Sequence, residues 1–266
     1  MPSLTRDEAL ARADLLTVSL MEVELDLDRG PQTFGSVTRI HLTASGDGTT
    51  FVDVKPRTLH RASLDGAEID VATLAEGRLP LTVTVGEHVV EVEATMAYSH
   101  DGEGLHRATD PADGEDYVFS HLFLDAAPAV FACIDQPDVK APYAVCVKAP
   151  QEWHVIGNGA AQIADGGVWH LAETRPLSTY FVALCAGPYV SVTGEHDGIR
   201  LGLNGSRTER APSAEELFAN GPQRVRATTE GEFQRQFISM LGSVPTLLYS
   251  IGGGVLFAIF FATVGV

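Results

Sequence analysis

The sequence predicts a mainly β protein, an antiparallel β-sandwich or saddle followed by short helices and one C-terminal transmembrane helix. Three observations carry this prediction. Hydrophobic residues alternate with polar ones in short segments between residues 16 and 203, and turn-forming Asp–Gly pairs separate those segments. Beyond residue 235 charged residues stop and an apolar run follows. Short alternating strands with frequent turns are typical of sandwiches rather than of helical or α/β folds.

The alternation has a period of two, which suits strands with one buried face and one wet face. It is seen in four sets: Val23, Leu25 and Leu27; Leu79, Leu81, Val83 and Val85; Val90, Val92, Ala94, Met96 and Tyr98; and Tyr143, Val145 and Val147. Turns are predicted at Asp28–Pro31, Gly46–Gly48, Asp65–Gly66, Asp113–Gly114 and Asp165–Gly167.

The N-terminal segment is charged in both signs and has no apolar stretch before Leu15, so no signal peptide is expected. Thr5 followed by Glu8 is a capping-box pattern, which predicts a short polar helix. We therefore divide the chain into a polar helix at 1–14, a β-domain at 15–203, a linker with short helices at 204–236 and a membrane span at 237–266.

The charge is acidic and unevenly distributed. The chain has 18 basic and 35 acidic residues and a net charge of −17. Residues 1–204 hold 13 basic and 30 acidic residues, whereas 205–266 hold five of each. This balance argues against nucleic acid or an anionic membrane surface as the main partner. The three cysteines form no C-x-x-C pair, which favours buried thiols in a reducing compartment.

The C-terminal run is long enough to span a bilayer. No charged residue occurs over the 31 residues from Gln236 to Val266. The 21 residues from Thr246 onward would make about 31 Å of helix. Small residues recur at every fourth position, a pattern that allows close helix packing in lipid: Ser250, Gly254, Ala258 and Ala262. A buried helix of a soluble domain is the alternative interpretation.

Motifs for catalysis are missing from the sequence. No two of the nine histidines are four residues apart, so the chain has no H-E-x-x-H zinc helix. It also has no G-x-S-x-G elbow and no P-loop. The residues therefore predict no catalytic group, no metal ligand and no cofactor bound by this chain.

One segment is unusually specific. The run from Phe131 to Tyr143 reads F-A-C-I-D-Q-P-D-V-K-A-P-Y. It closely resembles the F-P-C-x-D-E-P-x-x-K-A-x-F signature in the N-terminal domain of the aminopeptidase N family, the gluzincin zinc aminopeptidases. Three more stretches agree with actinobacterial members in the same order: Tyr98–His106, Trp153–Gly159 and Pro176–Tyr189. The resemblance covers residues 5–203 and implies a saddle-shaped β-domain that packs over a catalytic domain and contributes substrate contacts.

The sequence departs from this family just before the signature. Members usually carry T-Q-x-E there, and the Gln and Glu help to hold the N-terminal residue of the peptide. By position His121 replaces the glutamine and Phe123 replaces the glutamate, which makes these two the substrate-binding candidates. Phe123 cannot pair with the substrate ammonium as a carboxylate does. Asp125 and Glu115 are the nearby carboxylates that could compensate.

The second departure follows residue 203, where the resemblance leads one to expect the zinc helix and the G-A-M-E-N strand. Neither is present. Residues 213–264 instead resemble FtsX-like or MacB-like transporter permeases. We therefore expect a fusion near Asn204 of an aminopeptidase front end and a permease fragment, arising by rearrangement or by faulty assembly or gene prediction.

Three functional hypotheses follow. In the first, the chain is a truncated aminopeptidase that retains the substrate-side β-domain, lacks zinc, which full-length members bind, and is inactive alone. In the second, it is a membrane-anchored β-sandwich that binds a partner. In the third, it is a permease-derived subunit that needs helix partners. The expected partners are peptide N-termini and the membrane, but not nucleic acid.

The expected location is the membrane, with the β-domain on the cytoplasmic side. Arg224, Arg226 and Arg235 precede the predicted span and nothing charged follows it, so the positive-inside rule favours this topology. The permease resemblance favours the opposite side, and a cytoplasmic protein is expected if the span is an artefact.

Overall fold

The computed structural model describes residues 3–205 apart from Leu124, Asp197 and Gly198. The predicted membrane span, the permease-like stretch and nearly all of the predicted linker lie outside these residues. Within the described part, no helix is long and apolar enough to cross a bilayer. The chain divides into two compact units, and the elements described below belong to the first, except for Val192–Leu201.

The N-terminal helix α1 spans Arg6–Leu15. The predicted capping box is confirmed, because the Glu8 backbone N–H donates to Thr5 Oγ1 at 3.3 Å and the Thr5 N–H donates to Glu8 Oε2 at 2.9 Å. These bonds satisfy two backbone donors that a helix start otherwise leaves free. The helix passes directly into the first strand, since Leu16 already has extended backbone angles.

The described residues form sixteen strands, as the alternating sequence predicts. They are β1 Leu16–Asp26, β2 Thr33–Ala44, β3 Gly48–Asp53, β4 Thr58–Leu64, β5 Ala67–Glu68, β6 Arg78–Val83, β7 Gly86–Ala97, β8 Gly104–Thr109, β9 Asp116–His121, β10 Tyr143–Lys148, β11 His154–Gly157, β12 Ala161–Ala164, β13 Val168–Leu171, β14 Leu184–Gly187, β15 Val190–His196 and β16 Ile199–Gly205. Short 3-10 turns lie at Val71–Thr73, Ala127–Ala129, Asp165–Gly167 and Thr179–Phe181.

The strands form two larger sheets and two pairs. The eight-stranded sheet has the order β12-β13-β10-β1-β2-β7-β4-β5, and the four-stranded sheet has the order β11-β14-β9-β8. Strands β3 and β6 pair with each other, as do β15 and β16. Buried residues of both larger sheets and of the β3–β6 pair belong to one hydrophobic core. This arrangement fits the predicted β-sandwich.

The prediction of a wholly antiparallel architecture is wrong at one place. Strand β1 pairs with β10 in parallel, with a register that runs from Met21 opposite Tyr143 to Asp26 opposite Lys148. Alternation shows which residues face the core, but it is the same in both pairing directions, so it could not reveal this pair. Parallel neighbours require a long crossover connection, and here the intervening strands provide it.

The alternating residues face the core with one exception. Val90, Val92, Ala94 and Met96 are at most 2% exposed. Val85 was grouped with the buried positions of β6, yet it is 67% exposed. The reason is that β6 ends at Val83 and the chain turns into β7 at Gly86, so the pleat that would have buried Val85 has already ended.

The predicted turn at Asp65–Gly66 is confirmed and connects β4 to β5. Both residues have positive φ, 52° and 80°, the combination that a two-residue hairpin turn requires. The cysteine prediction holds for Cys133, which is fully buried, and burial raises the pKa of its thiol well above the ordinary value. Cys146 and Cys185 are half-buried, and all three thiols are free.

Candidate functional site

The two predicted substrate-binding positions lie at the end of β9, in the four-stranded sheet. Strand β9 pairs antiparallel with β8, so that His106 is opposite Phe119 and Gly104 is opposite His121. Because successive residues of a strand point to opposite faces, Phe119 and His121 share one face. That face is open: Phe119 is 39% exposed and His121 is also exposed.

The structure brings His121 and Phe123 together. Their rings are parallel to within 5° and their centroids are 6.4 Å apart. Phe123 is 58% exposed, and the ring of Tyr180 meets it edge-on at 6.2 Å. The two replacements for the expected Gln and Glu are therefore parts of one surface cluster.

Tyr180 and Phe181 complete this cluster from the 3-10 turn at Thr179–Phe181. Their ring centroids are 4.3 Å apart, and Phe181 is 56% exposed. Asn158 holds the backbone at the end of this turn. Its amide nitrogen donates to the Phe181 carbonyl at 2.9 Å, and its oxygen accepts from the Ala183 N–H at 2.7 Å. We call Phe119, His121, Phe123, Tyr180 and Phe181 the aromatic surface.

The two nearby carboxylates, those of Glu115 and Asp125, have different surroundings. Glu115 precedes β9, whereas His121 ends it, so the two are about 20 Å apart along an extended strand. Asp125 is closer in sequence, but its carboxylate lies 3.5 Å from Lys55 Nζ. The aromatic surface itself can accept apolar groups and offer imidazole hydrogen bonds.

Comparison with known proteins identifies the fold family. The sequence profile of the peptidase M1 N-terminal domain matches residues 24–181, which is more than half of the chain. The chain belongs to the peptidase M1 family. The M1 match contains the last residues of β1 and all of β2 to β13, and it includes the signature at Phe131–Tyr143 and the aromatic surface.

Several curated proteins are similar to this M1 chain. Aminopeptidase N of Streptomyces lividans is 39% identical over 210 residues, which cover 76% of the chain and 24% of that protein. Aminopeptidase N of Lactobacillus delbrueckii subsp. lactis is 23% identical over 68% of the chain and 22% of its own length. A probable M1 family aminopeptidase 2 of Encephalitozoon cuniculi is 28% identical over 53% of the chain. The chain spans about a quarter of the length of the first two relatives.

The M1 signature supplies part of a buried polar network. Arg12 of α1 forms an ion pair with Asp53 at the end of β3, with an Nη1–Oδ2 distance of 2.8 Å. Its Nε donates to Gln136 Oε1 at 3.0 Å, and the Asp135 backbone N–H donates to Asp53 Oδ2 at 2.9 Å. Gln136 also donates to the carbonyl of Ala9 at 2.9 Å. The signature therefore fastens α1 to the core of the M1 domain.

The same network extends to the aromatic surface. Thr179 Oγ1 donates to Asp135 Oδ1 at 2.5 Å, at the start of the turn that carries Tyr180 and Phe181. Burial raises the pKa of Asp135, and the Thr179 hydroxyl opposes that rise. Burial likewise raises the pKa of Asp53, against the attraction of the Arg12 guanidinium. The charged carboxylates depend on these specific partners, because desolvation alone favours their neutral forms.

Sequence reasoning identified the signature but missed Arg12 and Asp53. Arg12 is the one buried residue of a helix whose apolar and polar residues are not separated onto two faces, so no amphipathic pattern marks it. Asp53 is an acidic residue at a strand end, where such residues are usually solvated. The polar Asp135 and Gln136 of the signature were the available hint that a buried polar partner exists elsewhere in the chain.

The described part of the M1 chain contains no group of three or more His, Cys, Asp or Glu side chains that could hold a metal ion. The residues that the structure describes therefore do not fit the zinc that the family resemblance implies for full-length members. No chemical step at a metal is assigned to them.

Proposed function

We propose that residues 5–203 act as the substrate-side domain of a zinc aminopeptidase of the M1 family, and that this chain does not hydrolyse peptides by itself. The aromatic surface would contact the N-terminal part of a peptide. The observation that carries this proposal is the exposed contact between His121 and Phe123, at the two positions where the family resemblance implies substrate contacts. The family match over residues 24–181 supports the domain assignment.

The proposed contacts divide between apolar and polar groups. The exposed faces of Phe123 and Phe181 suit an apolar side chain of the peptide, which gains free energy by leaving water. His121 Nδ1 lies 3.2 Å from the Gly102 carbonyl, so Nδ1 carries the proton. In the neutral ring Nε2 is then an acceptor that can receive a hydrogen bond from the peptide amine.

Hydrolysis by the chain alone is tested with an aminoacyl chromogenic substrate in the presence of zinc. We expect no turnover above that of zinc in buffer, because catalytic zinc requires about three protein ligands and the sequence lacks the H-E-x-x-H motif. Turnover that disappears when a chelator is added and returns with zinc would overturn this part of the proposal.

A second candidate function is that of a membrane-anchored β-domain that binds a partner, or of a permease fragment. The 21-residue uncharged run from Thr246 to Val266 favours it. This candidate predicts that the full chain sediments with membranes and is released by detergent but not by salt, with the β-domain protected in the cytoplasm. Release by salt, or a chain that stays in the supernatant, would count against it.

A further inference from the structure

Three histidines bond the backbone around one short loop, Ser99–Gly104, between β7 and β8. The Gly102 backbone N–H donates to His106 Nδ1 at 3.1 Å. His121 Nδ1 lies 3.2 Å from the Gly102 carbonyl oxygen, and His100 Nδ1 lies 2.9 Å from the Arg107 carbonyl oxygen. Gly102 is thus held at both its N–H and its carbonyl group, by one histidine from β8 and one from β9.

These contacts fix where the ring protons are. A backbone N–H can only donate, so His106 Nδ1 must be unprotonated to accept from Gly102. A carbonyl oxygen can only accept, so His121 and His100 must each carry a proton on Nδ1. The bond to His106 therefore requires a neutral imidazole, whereas the bonds from His121 and His100 persist when those rings become charged.

We propose that Ser99–Gly104 is a pH-sensitive loop beside the aromatic surface, and that it is released at Gly102 when His106 takes up a proton. Protonated imidazole donates from both nitrogens, so it has no acceptor for the Gly102 N–H, and two donors then face each other. Acidification therefore favours the released loop, because it favours the protonated ring.

The groups around His106 come from the loop and from both strands. The His100 ring lies 6.2 Å away, and the Phe119 ring of β9 packs against His106 at 4.8 Å. His106 also lines a cleft of about 310 Å³ together with Arg107 and Asp116. The Arg107 and Asp116 side chains form an ion pair there at 2.7 Å.

The loop itself carries two carboxylates, those of Asp101 and Glu103. Asp101 Oδ1 accepts the Glu103 backbone N–H at 3.2 Å. Elsewhere in the described chain, carboxylates pair directly with His41 and His88. His106 differs from both, because its ring bonds a backbone donor.

Release would be local and would reach His121. The base of the loop is fastened separately, since the Ser99 N–H donates to the Leu105 carbonyl at 2.9 Å and the Arg107 N–H donates to the Ser99 carbonyl at 3.1 Å. Gly102 has φ of +92°, so the free tip can move without the strain that a side chain would impose. Because His121 bonds the Gly102 carbonyl, a movement of Gly102 shifts the group that orients the His121 ring on the aromatic surface.

The test is an NMR titration of the full 266-residue chain from pH 8 to pH 5, without substrate. We expect the Gly102 amide resonance and the His106 ring resonances to shift with one shared midpoint. The protection of the Gly102 amide against exchange, corrected for intrinsic rates, should fall about three- to tenfold, as one lost hydrogen bond implies. A Gly102 resonance that stays constant while His106 titrates would overturn the proposal.

Two substitutions of His106 separate the titration from the mere presence of a ring. His106→Asn keeps an acceptor that does not titrate, so Gly102 should stay protected at both ends of the pH range. His106→Phe keeps the packing on Phe119 without an acceptor, so Gly102 should be unprotected throughout. His100→Asn is the control and should retain the wild-type shift. A wild-type Gly102 titration in His106→Asn contradicts the proposal, and none of these readouts depends on the proposed peptide function.

Discussion

Arg12 and Asp53 are 41 residues apart in sequence and form an ion pair whose side chains are only 2% and 3% exposed. The pair connects α1 to the end of β3, and the backbone N–H of Asp135 bonds the same carboxylate. A buried pair of this kind contributes little net stability over an apolar pair, but losing one partner leaves a charge without compensation.

Replacing Arg12 by Ala should therefore destabilise the domain by about 3–5 kcal/mol, because Asp53 would be left charged and buried or would have to be neutralised. Urea unfolding followed by circular dichroism measures this change. Arg6→Ala is the matched control on the exposed side of the same helix and should change the free energy of unfolding by less than about 0.5 kcal/mol. Equal effects of the two substitutions would contradict the assigned role.

A pH-dependent contribution to stability is expected from His88 and Asp65. His88 Nδ1 lies 2.6 Å from Asp65 Oδ2, and His88 Nε2 lies 2.8 Å from the Thr84 carbonyl. The hydrogen bond to Asp65, followed by that to Thr84, raises the pKa of His88. The same bond to His88 is the largest cause that lowers the pKa of Asp65.

The two pKa shifts make the stability depend on pH in opposite directions. A raised pKa means that the His88 contribution is fully present below the unfolded value and is lost as the pH rises through the folded value. A lowered pKa means that the Asp65 contribution is present above its unfolded value and is lost as the pH falls. The pair should therefore stabilise most between about pH 4 and pH 6.5.

Urea unfolding of wild type and His88→Gln across this range checks the pH dependence. The difference should be less than about 1 kcal/mol, since the pair is near the surface, and should shrink above the raised His88 pKa. In an Asp65→Asn background, which tolerates the left-handed turn, the pH dependence of the His88→Gln effect should become weaker, because only the bond to Thr84 still raises the His88 pKa. A difference that grows toward alkaline pH would contradict the assignment.

Gly159 should not tolerate a side chain. A Cβ there would press against the backbone carbonyl of Ala172, which has no flexible end to move away. We expect Gly159→Ala to cost about 1–3 kcal/mol, the usual range for overpacking. Gly46→Ala is the control, because nothing lies within 4 Å of its added Cβ. Thermal unfolding of the two variants measures the contrast, and equal melting temperatures would show that the contact at Gly159 is not limiting.

Phe123→Glu should give the aromatic surface the carboxylate that the family resemblance implies at this position. Because Phe123 is 58% exposed, the substitution should leave the stability within about 0.5 kcal/mol of wild type. Binding of a peptide with a free amine should strengthen about three- to tenfold relative to the same peptide acetylated at its N-terminus. Calorimetry with both peptides measures the ratio, and Phe181→Glu serves as the control at a comparably exposed ring. An unchanged ratio in Phe123→Glu would contradict the inferred position of the amine.

The strands could be predicted from sequence because burial on one face imposes a two-residue period, and Val90 to Met96 follow it throughout β7. The capping box at Thr5 was equally visible, since it depends on residues three apart. The parallel pairing of β1 with β10 was not, because strand direction leaves no mark on alternation. The predicted burial of Val85 was wrong for a local reason, because strand β6 ends at Val83, two residues earlier than the pattern suggested.

The candidate site could be predicted only where a local pattern carried it. His121 and Phe123 were predicted because they lie two residues apart shortly before the signature, and the structure places their rings together. Tyr180 and Phe181 were not, since they reach the same surface from a turn more than fifty residues later in the chain. Arg12 and Asp53 were missed because a buried ion pair between distant residues has no periodic signature.

The most direct test of the account is an NMR titration of the full chain with a short peptide whose N-terminal residue is apolar. If the aromatic surface is the substrate-side contact, the largest shifts should fall on Phe119, His121, Phe123, Tyr180 and Phe181, and a Phe123→Ala variant should reduce them. Shifts that concentrate elsewhere in the domain, or a peptide in large excess that moves none of these five resonances, would contradict it.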